Sequence, residues 1–301
     1  MRIQNPFHEG ELLVQQRAGE TAKGEQNGKI IADSIIKGAF EFIEQQSMVI
    51  LGSVDDRNVW ASILLGHPGF IKVVDPQTVE IDLERAFINK SDRLWKIDRE
   101  RIGMLVIELA TRRRLRINSA IVITPNKLQL RVTESYPNCP KYIQCRQLSF
   151  DIDAPRQSSE SQSGQILTPE QQELIGSADT FFVASFHASR GVDVSHRGGN
   201  PGFVRVSDRQ SLRIPDYIGN GMFNTLGNLT LNPHAGLIFI DFDRSRTLQL
   251  IGRANILWDI EDLEYKSETK RYWDFKIDRW LETDLPVTFD CEFLDYSPYN
   301  P

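Results

Sequence analysis

One internal alignment restricts what this chain can fold into more than any other feature. At a constant offset of 133 residues and without a gap, SILLGHPGFIKVVDPQTVEI from Ser62 lies against SHRGGNPGFVRVSDRQSLRI from Ser195, with nine identities in twenty positions. Unrelated segments of that length share roughly one or two, so the match reads as one structural unit used twice. At the same offset GMLVIEL from Gly103 meets GLIFIDF from Gly236, and Leu115 meets Leu248. Both halves are therefore expected to be copies of the same domain.

Each half opens with a helical pattern and continues as short β-type runs about ten residues apart, separated by Gly, Pro and Asp. In the first half the apolar spacing of Ile31, Ile35, Ile36, Phe40 and Ile43 predicts a helix over 30–46, followed by MVILGSV as a strand. In the second, LTPEQQELIGSA predicts a helix with Thr168 as N-cap, Pro169 at its first position and Glu170 in its first turn, followed by FFVASF. Strands at this spacing favour a small antiparallel barrel over a βαβ sheet, and closure removes exposed edges. The shared GxPGF turn fits that reading: glycine permits positive φ, proline fixes a torsion, and Phe70 or Phe203 leads the chain back into a core. DIDAPRQSSESQS, 151–163, is polar and lacks periodicity, as a linker would. The division expected is an N-terminal arm (1–27), a first split barrel (28–150), a linker (151–167) and a second split barrel (168–301). The fold class is mainly β, tandem split β-barrels forming a pseudo-dimer within one chain.

Composition narrows function. A net charge of −6 and a pI near 5.5 provide no broad basic face for a nucleic-acid backbone. Cys139, Cys145 and Cys291 are an odd count without a CxxC pair, which supports neither a disulfide framework nor a zinc site. The first residues carry charges where a signal peptide needs an apolar run, and no segment has bilayer-spanning length. We expect a soluble cytoplasmic protein with no metal, nucleic-acid or membrane partner. No Ser-His-Asp order emerges that would suggest a hydrolase.

VDVSHRGGNPGFVRV followed by LRIPDYIGNGMFNTLGNLTLNPHAGLIFIDF resembles the pyridoxamine 5′-phosphate oxidase-like family of FMN-binding split barrels. FHEGELLVQQRAG, YPNCPKYIQ and the terminal DYSPYNP resemble a two-barrel, single-chain subgroup of it. The resemblance implies FMN in a cleft between barrels, so a fused duplication would supply both walls from one polypeptide. It further implies a flavin-dependent oxidoreductase that takes electrons from NAD(P)H or a partner reductase and passes them to a small acceptor. The alternative is a non-catalytic module binding flavin or a haem-like tetrapyrrole. A homodimer of pseudo-dimers is a further expectation.

The cofactor residues implied lie on the second half. Gly219, Asn220 and Gly221 form a loop entering a short helix whose backbone N–H groups, with Asn224, would cradle a phosphate. Ser195, His196, Arg197, Pro215 and Asp216 would complete that wall, Arg197 serving better than Arg205 as a cation. Gly221 and Met222 stand where the commonest family pattern has an arginine beside the asparagine, so a cation is expected from elsewhere. Lys141, held on an extended segment by Pro137 and Pro140, would reach across from the first barrel with Tyr142 and Gln144. At the corresponding stretch of the first half, IDLERAFINKSDRLWKIDRERIG has no Gly/Asn loop and is crowded with charge, so that copy is expected to have lost its site. Cys139 reads as a small buried residue and His187 as a surface one. Trp258, Trp273 and Trp280 read as core, and the tail from Arg271 as a closing strand.

Overall fold

Alternation of apolar and polar residues sets the strands, and the computed structural model describes them over residues 6–56, 58–96, 101–151, 161–261 and 267–301. The first half contributes β1 (Met48–Asp55), β2 (Asn58–Gly66), β3 (Ile71–Asp75), β4 (Thr78–Asp82), β5 (Ala86–Phe87), β6 (Arg101–Glu108), β7 (Arg113–Ile123), β8 (Lys127–Pro137) and β9 (Cys145–Asp151). The second contributes β10 (Gln162–Gly164), β11 (Thr180–His187), β12 (Gly191–Gly198), β13 (Arg205–Asp208), β14 (Ser211–Pro215), β15 (His234–Asp241), β16 (Arg246–Leu257), β17 (Tyr272–Asp284) and β18 (Thr288–Asp295). The α-helices are α1 (Glu9–Arg17), α2 (Thr21–Gly28), α3 (Phe40–Glu44), α4 (Pro169–Ser177) and α5 (Asn224–Leu231). Among the described residues no helix is long and apolar enough to cross a membrane.

The sheet of the first half runs β3-β4-β8-β7-β6-β1-β2-β5, and that of the second runs β13-β14-β17-β16-β15-β11-β12. Replacing each strand by its counterpart about 133 residues on converts one order into the other, β5 aside; β8 and β17 correspond with a longer displacement. Even a register irregularity repeats, between Val73 and Asp75 in one hairpin and between Val206 and Asp208 in the other. The chain is thus a tandem of split barrels. Each has its own core: Phe70, Ile81 and Ile117 belong to the first, Phe203, Ile214 and Trp273 to the second. The GxPGF turns deliver those phenylalanines from Gly69 (φ 83°) and Gly202 (φ 91°), a left-handed conformation that a side chain strains.

A third core lies between the barrels and explains why β11 is buried along its entire length. Phe181 and Val183 point into the second barrel, whereas Phe182 and Ala184 join Ile50, Val59 and Val194 at the interface. The contact is self-complementary. A methyl group added at Gly103 of β6 would lie 2.5 Å from the carbonyl oxygen of Val192, and one at Gly236 of β15 would lie 2.4 Å from that of Val59. Gly103 and Gly236 are counterparts, as are Val59 and Val192, so this is one contact made twice about a pseudo-twofold axis. Because backbone stands opposite each glycine, Gly103→Ala is expected to cost about 1–3 kcal/mol in urea unfolding. Gly38→Ala, which meets nothing within 4 Å, is the control and should be nearly neutral.

Three local expectations change. Residues 30–46 are not one helix: Ala32 bridges Ser135, the Ile35 amide donates to Pro76 O, and only Phe40–Glu44 is α-helical. Ile31, Ile35 and Ile43 are buried because this segment crosses a barrel, while Ile36 stays 66% exposed. The N-terminal arm contains helices α1 and α2, and a capping box joins His8 to Glu11 at the start of α1. Of the linker, 152–160 lie outside the described residues; Gln162–Gly164 pairs with β17. Helix α4 has its capping box between Thr168 and Gln171 with Pro169 in the first turn. Trp273 and Trp280 lie in the second core with Trp258 packed against it. The tail divides into β17 and β18, the latter paired with β9.

Candidate functional site

β12 ends at the glycine turn, and β14 runs into the Gly/Asn loop that leads to α5. Together these place Ser195, His196, Arg197, Pro215, Asp216, Gly219, Asn220 and Asn224 on one wall of a cleft. The other wall comes from the first barrel: Arg114 and Arg116 on β7, then Asn138, Cys139, Lys141 and Tyr142 after β8. The space between these walls, open solvent included, is about 840 Å³.

All the site residues expected from the sequence line this cleft except Gln144. Its side chain is fully buried and stitches backbone together. The amide nitrogen donates to the carbonyls of Tyr142, Asp179 and Gly199, and its oxygen accepts from Ser297 N and Asn300 Nδ2. Gln144 is a structural clamp on the C-terminal segment. Cys139 is exposed at the cleft instead of buried. Its carbonyl accepts from Arg114 Nη2 at 2.6 Å. His187 is buried, its ring stacked on His8 at 4.1 Å.

The cation missing from the loop comes from β7. Arg116 donates to Asn224 Oδ1 (3.2 Å) and to Ser195 Oγ, which also bonds Thr225 Oγ1 at 2.8 Å. Arg114 meets His196 Nδ1 at 3.2 Å. Neither arginine has a carboxylate partner among the described residues. Arg197 differs, since Asp216 neutralises it at 3.0 Å and is shared with Arg271. Arg205 does not line the cleft. Lys141 lines the mouth with Nζ 5.3 Å from the ring centre of Tyr299. Burial and the neighbouring Arg116 push Arg114 down to about 9, which leaves it charged at neutral pH.

The same surroundings fix the state of His196. Burial, Arg114 and Arg197 hold its pKa well below the usual imidazole value, so the ring is neutral. Arg114 can only donate, so Nδ1 accepts and the proton sits on Nε2, a buried atom without a hydrogen-bond partner. The Nε nitrogens of Arg114, Arg116 and Arg197 are likewise buried without partners. Several buried N–H donors of cleft residues thus lack an acceptor among the described residues.

The loop itself is braced from outside the barrel. Asn220 Oδ1 accepts from Met222 N (3.0 Å), and its Nδ2 donates to Asn138 Oδ1 (2.6 Å), so this side chain shapes the turn. From the arm, Asn27 Nδ2 donates to Asn220 O (2.6 Å) and Gln15 Nε2 to Met222 O (3.3 Å). Asn224 Nδ2 donates to Glu11 Oε1, so its oxygen is turned toward Arg116. Burial and nearby Asp193 raise the Glu11 carboxyl to about 8; protonated at neutral pH, it leaves the charge of Arg116 uncancelled. Asn224, Thr225 and Leu226 line the same cleft, and as the first turn of α5 their N–H groups have no intrahelical partners.

A family model described as pyridoxamine 5′-phosphate oxidase matches residues 167–280. Among solved structures, one of a pyridoxamine 5′-phosphate oxidase-like protein from Lactobacillus delbrueckii is 16% identical, covers 39% of this chain and 94% of that one, and has a TM-score of 0.33. HupZ of Group A Streptococcus is 18% identical over 37% of this chain and 90% of its own, with a TM-score of 0.31. A FAD-binding protein from Mesorhizobium loti is 11% identical over 41% and 96%, with a TM-score of 0.30. No curated protein matches the chain. Residues 167–280, which form the second split barrel, thus match the pyridoxamine 5′-phosphate oxidase family model.

Proposed function

We propose that the chain binds one FMN in the cleft of the second barrel and acts as a flavin-dependent oxidoreductase. The observation that carries this reading is the pair Arg114 and Arg116. Two cations from one barrel, without acid partners, face the Gly/Asn loop and helix start of the other. That donor set suits a dianionic phosphate, with Arg116, Ser195, Thr225 and the first turn of α5 as its holders. Tyr142, Tyr217 and Phe223 supply apolar walls, backed by the His196 ring with its proton on the buried Nε2. The same tautomer disfavours a haem-binding reading, because a protonated Nε2 donates a hydrogen bond and does not ligate iron. When bound, FMN supplies hydride and electron transfer, and the protein contributes binding, orientation and exclusion of water.

The repeat supports descent from a duplicated barrel, with the second copy retaining the site. The electron donor proposed is a reduced nicotinamide or a partner reductase, and the acceptor is small. FMN released per polypeptide from reconstituted protein should be one, and two would overturn the single-site reading. Turnover of NADH or NADPH above that of free FMN separates an enzyme from a binding module. Failure to take up any FMN would refute the whole reading.

A further inference from the structure

The residues of the cleft have pseudo-twofold counterparts around the first barrel, which follow from the same 133-residue offset. Ser195 corresponds to Ser62, Thr225 to Asp92, and Arg116, which crosses from the opposite barrel, to Gln249. These counterparts also meet in space. Ser62 Oγ donates to Asp92 Oδ1 at 2.5 Å, as Ser195 pairs with Thr225. Gln249 Nε2 donates to Asp92 Oδ2 at 3.2 Å and to Ser62 Oγ at 3.1 Å, as Arg116 meets Ser195. The Leu94 amide adds a bond to Asp92 Oδ1 at 2.7 Å. Hydroxyl and arginine have been exchanged for carboxylate and amide, so one positive charge has become one negative.

We propose that Asp92 is a built-in anion: its carboxylate fills, on Ser62 and Gln249, the counterpart of the place that a ligand's phosphate takes on Ser195 and Arg116, and closes the first barrel to phosphorylated ligands. The assignment of phosphate to the open cleft rests on the function proposed above, whereas the occupancy of the closed one by Asp92 rests on its own contacts. The carboxylate is 5% exposed and receives a hydroxyl, an amide and a backbone N–H, as a bound anion would. This contact also crosses between barrels, since Gln249 lies on β16 and Asp92 in the first half. An intramolecular anion thereby replaces a ligand in holding the two copies together. Burial raises the acid to about 6, so it is ionised above neutrality.

Chemical rescue tests this. In Asp92→Ala at pH 8, sodium formate should raise the melting temperature by about 3 °C or more and saturate, whereas formamide and matched sodium chloride should not. Wild-type protein should respond to none of the three beyond the salt effect. Equal effects of formate and chloride, or of formate and formamide, would overturn the built-in anion. If the variant does not accumulate, its refolding yield from urea with formate against formamide gives the same readout. A second arm copies the polar pair of the open site with Asp92→Thr and Gln249→Arg; inorganic phosphate should then raise the melting temperature by more than it does in wild type, and an equal rise in both would refute the closure. Wild-type protein that binds no FMN would refute the proposed function while leaving the formate test of Asp92 intact.

Discussion

Arg116→Gln, which gives the open cleft the residue that Gln249 brings to the closed one, is expected to weaken FMN binding by about 30-fold or more. Removing one side of a buried charge-assisted contact costs about 2 kcal/mol or more, because the remaining phosphate charge is left poorly paired. The loss should be confined to the phosphate. Riboflavin lacks that group, so its affinity should change little between wild type and variant, and fluorescence titration with both ligands separates a phosphate contact from general damage. Arg116 sits on β7 between Leu115 and Ile117, whose side chains point into the first core, so the strand has independent support. An equal loss for FMN and riboflavin would show that Arg116 acts on fold alone. No loss for either would remove it from the site.

That arginine also shows where the sequence becomes opaque. RRLRIN alternates charge with apolar residues, the pattern of a strand with one solvent-facing side. Nothing local says that this side is turned toward another barrel. Only the pseudo-twofold packing, set by contacts such as Gly103 against Val192, brings Arg114 and Arg116 over Ser195 and Asn224. The opposite wall was legible because its signals are local: a glycine turn, a Gly/Asn loop and a helix start lie within thirty residues of one another. Gln144 illustrates the reverse error. Position beside Lys141 and Tyr142 suggested the cleft, but a primary amide can satisfy several buried carbonyls and N–H groups at once, and this one does. The apolar spacing over 30–46 marks burial at Ile31, Ile35 and Ile43 but not at Ile36, and it does not mark helix, because a chain crossing a barrel mouth buries residues at similar intervals. Helix α1 escaped for a different reason. Its N-cap is histidine, outside the usual Ser, Thr, Asp and Asn, and only the Glu three residues on marks the box.

Stability is expected to fall as pH rises from about 6.5 to about 8.5, opposite to the trend of a protein held by salt-bridged carboxylates. Four buried groups determine the sign. Glu11 is raised to about 8 and Glu134 to about 7, both by burial first and by the charge of Asp193 second. The folded protein therefore retains protons that the unfolded chain releases near pH 4.5, and stability drops as pH passes from that value through 7 and 8. His8, lowered to about 4 by burial, and His196, lowered well below 6.5, act in the opposite direction. Their contribution grows as pH rises through 6.5, where unfolded histidine is half deprotonated, and is nearly complete one unit higher, with a remaining gain smaller than the loss from the carboxyls. Above that point the carboxyls act alone. The loss from pH 6.5 to 8.5 should be about 2 kcal/mol, read as the midpoint of urea unfolding at constant slope. Glu11→Gln tests the attribution through the gradient, not the absolute value, since the amide cannot accept from both His8 N and Asn224 Nδ2 and loses a hydrogen bond at every pH. The variant should be flatter than wild type between pH 7 and 8.5. Because Glu11 reaches Arg116 through Asn224, deprotonation also places a negative charge behind the phosphate contact. FMN affinity in the wild type should therefore weaken over the same pH interval and become less pH-dependent in Glu11→Gln, whereas a parallel loss in both proteins would assign the titration to another group.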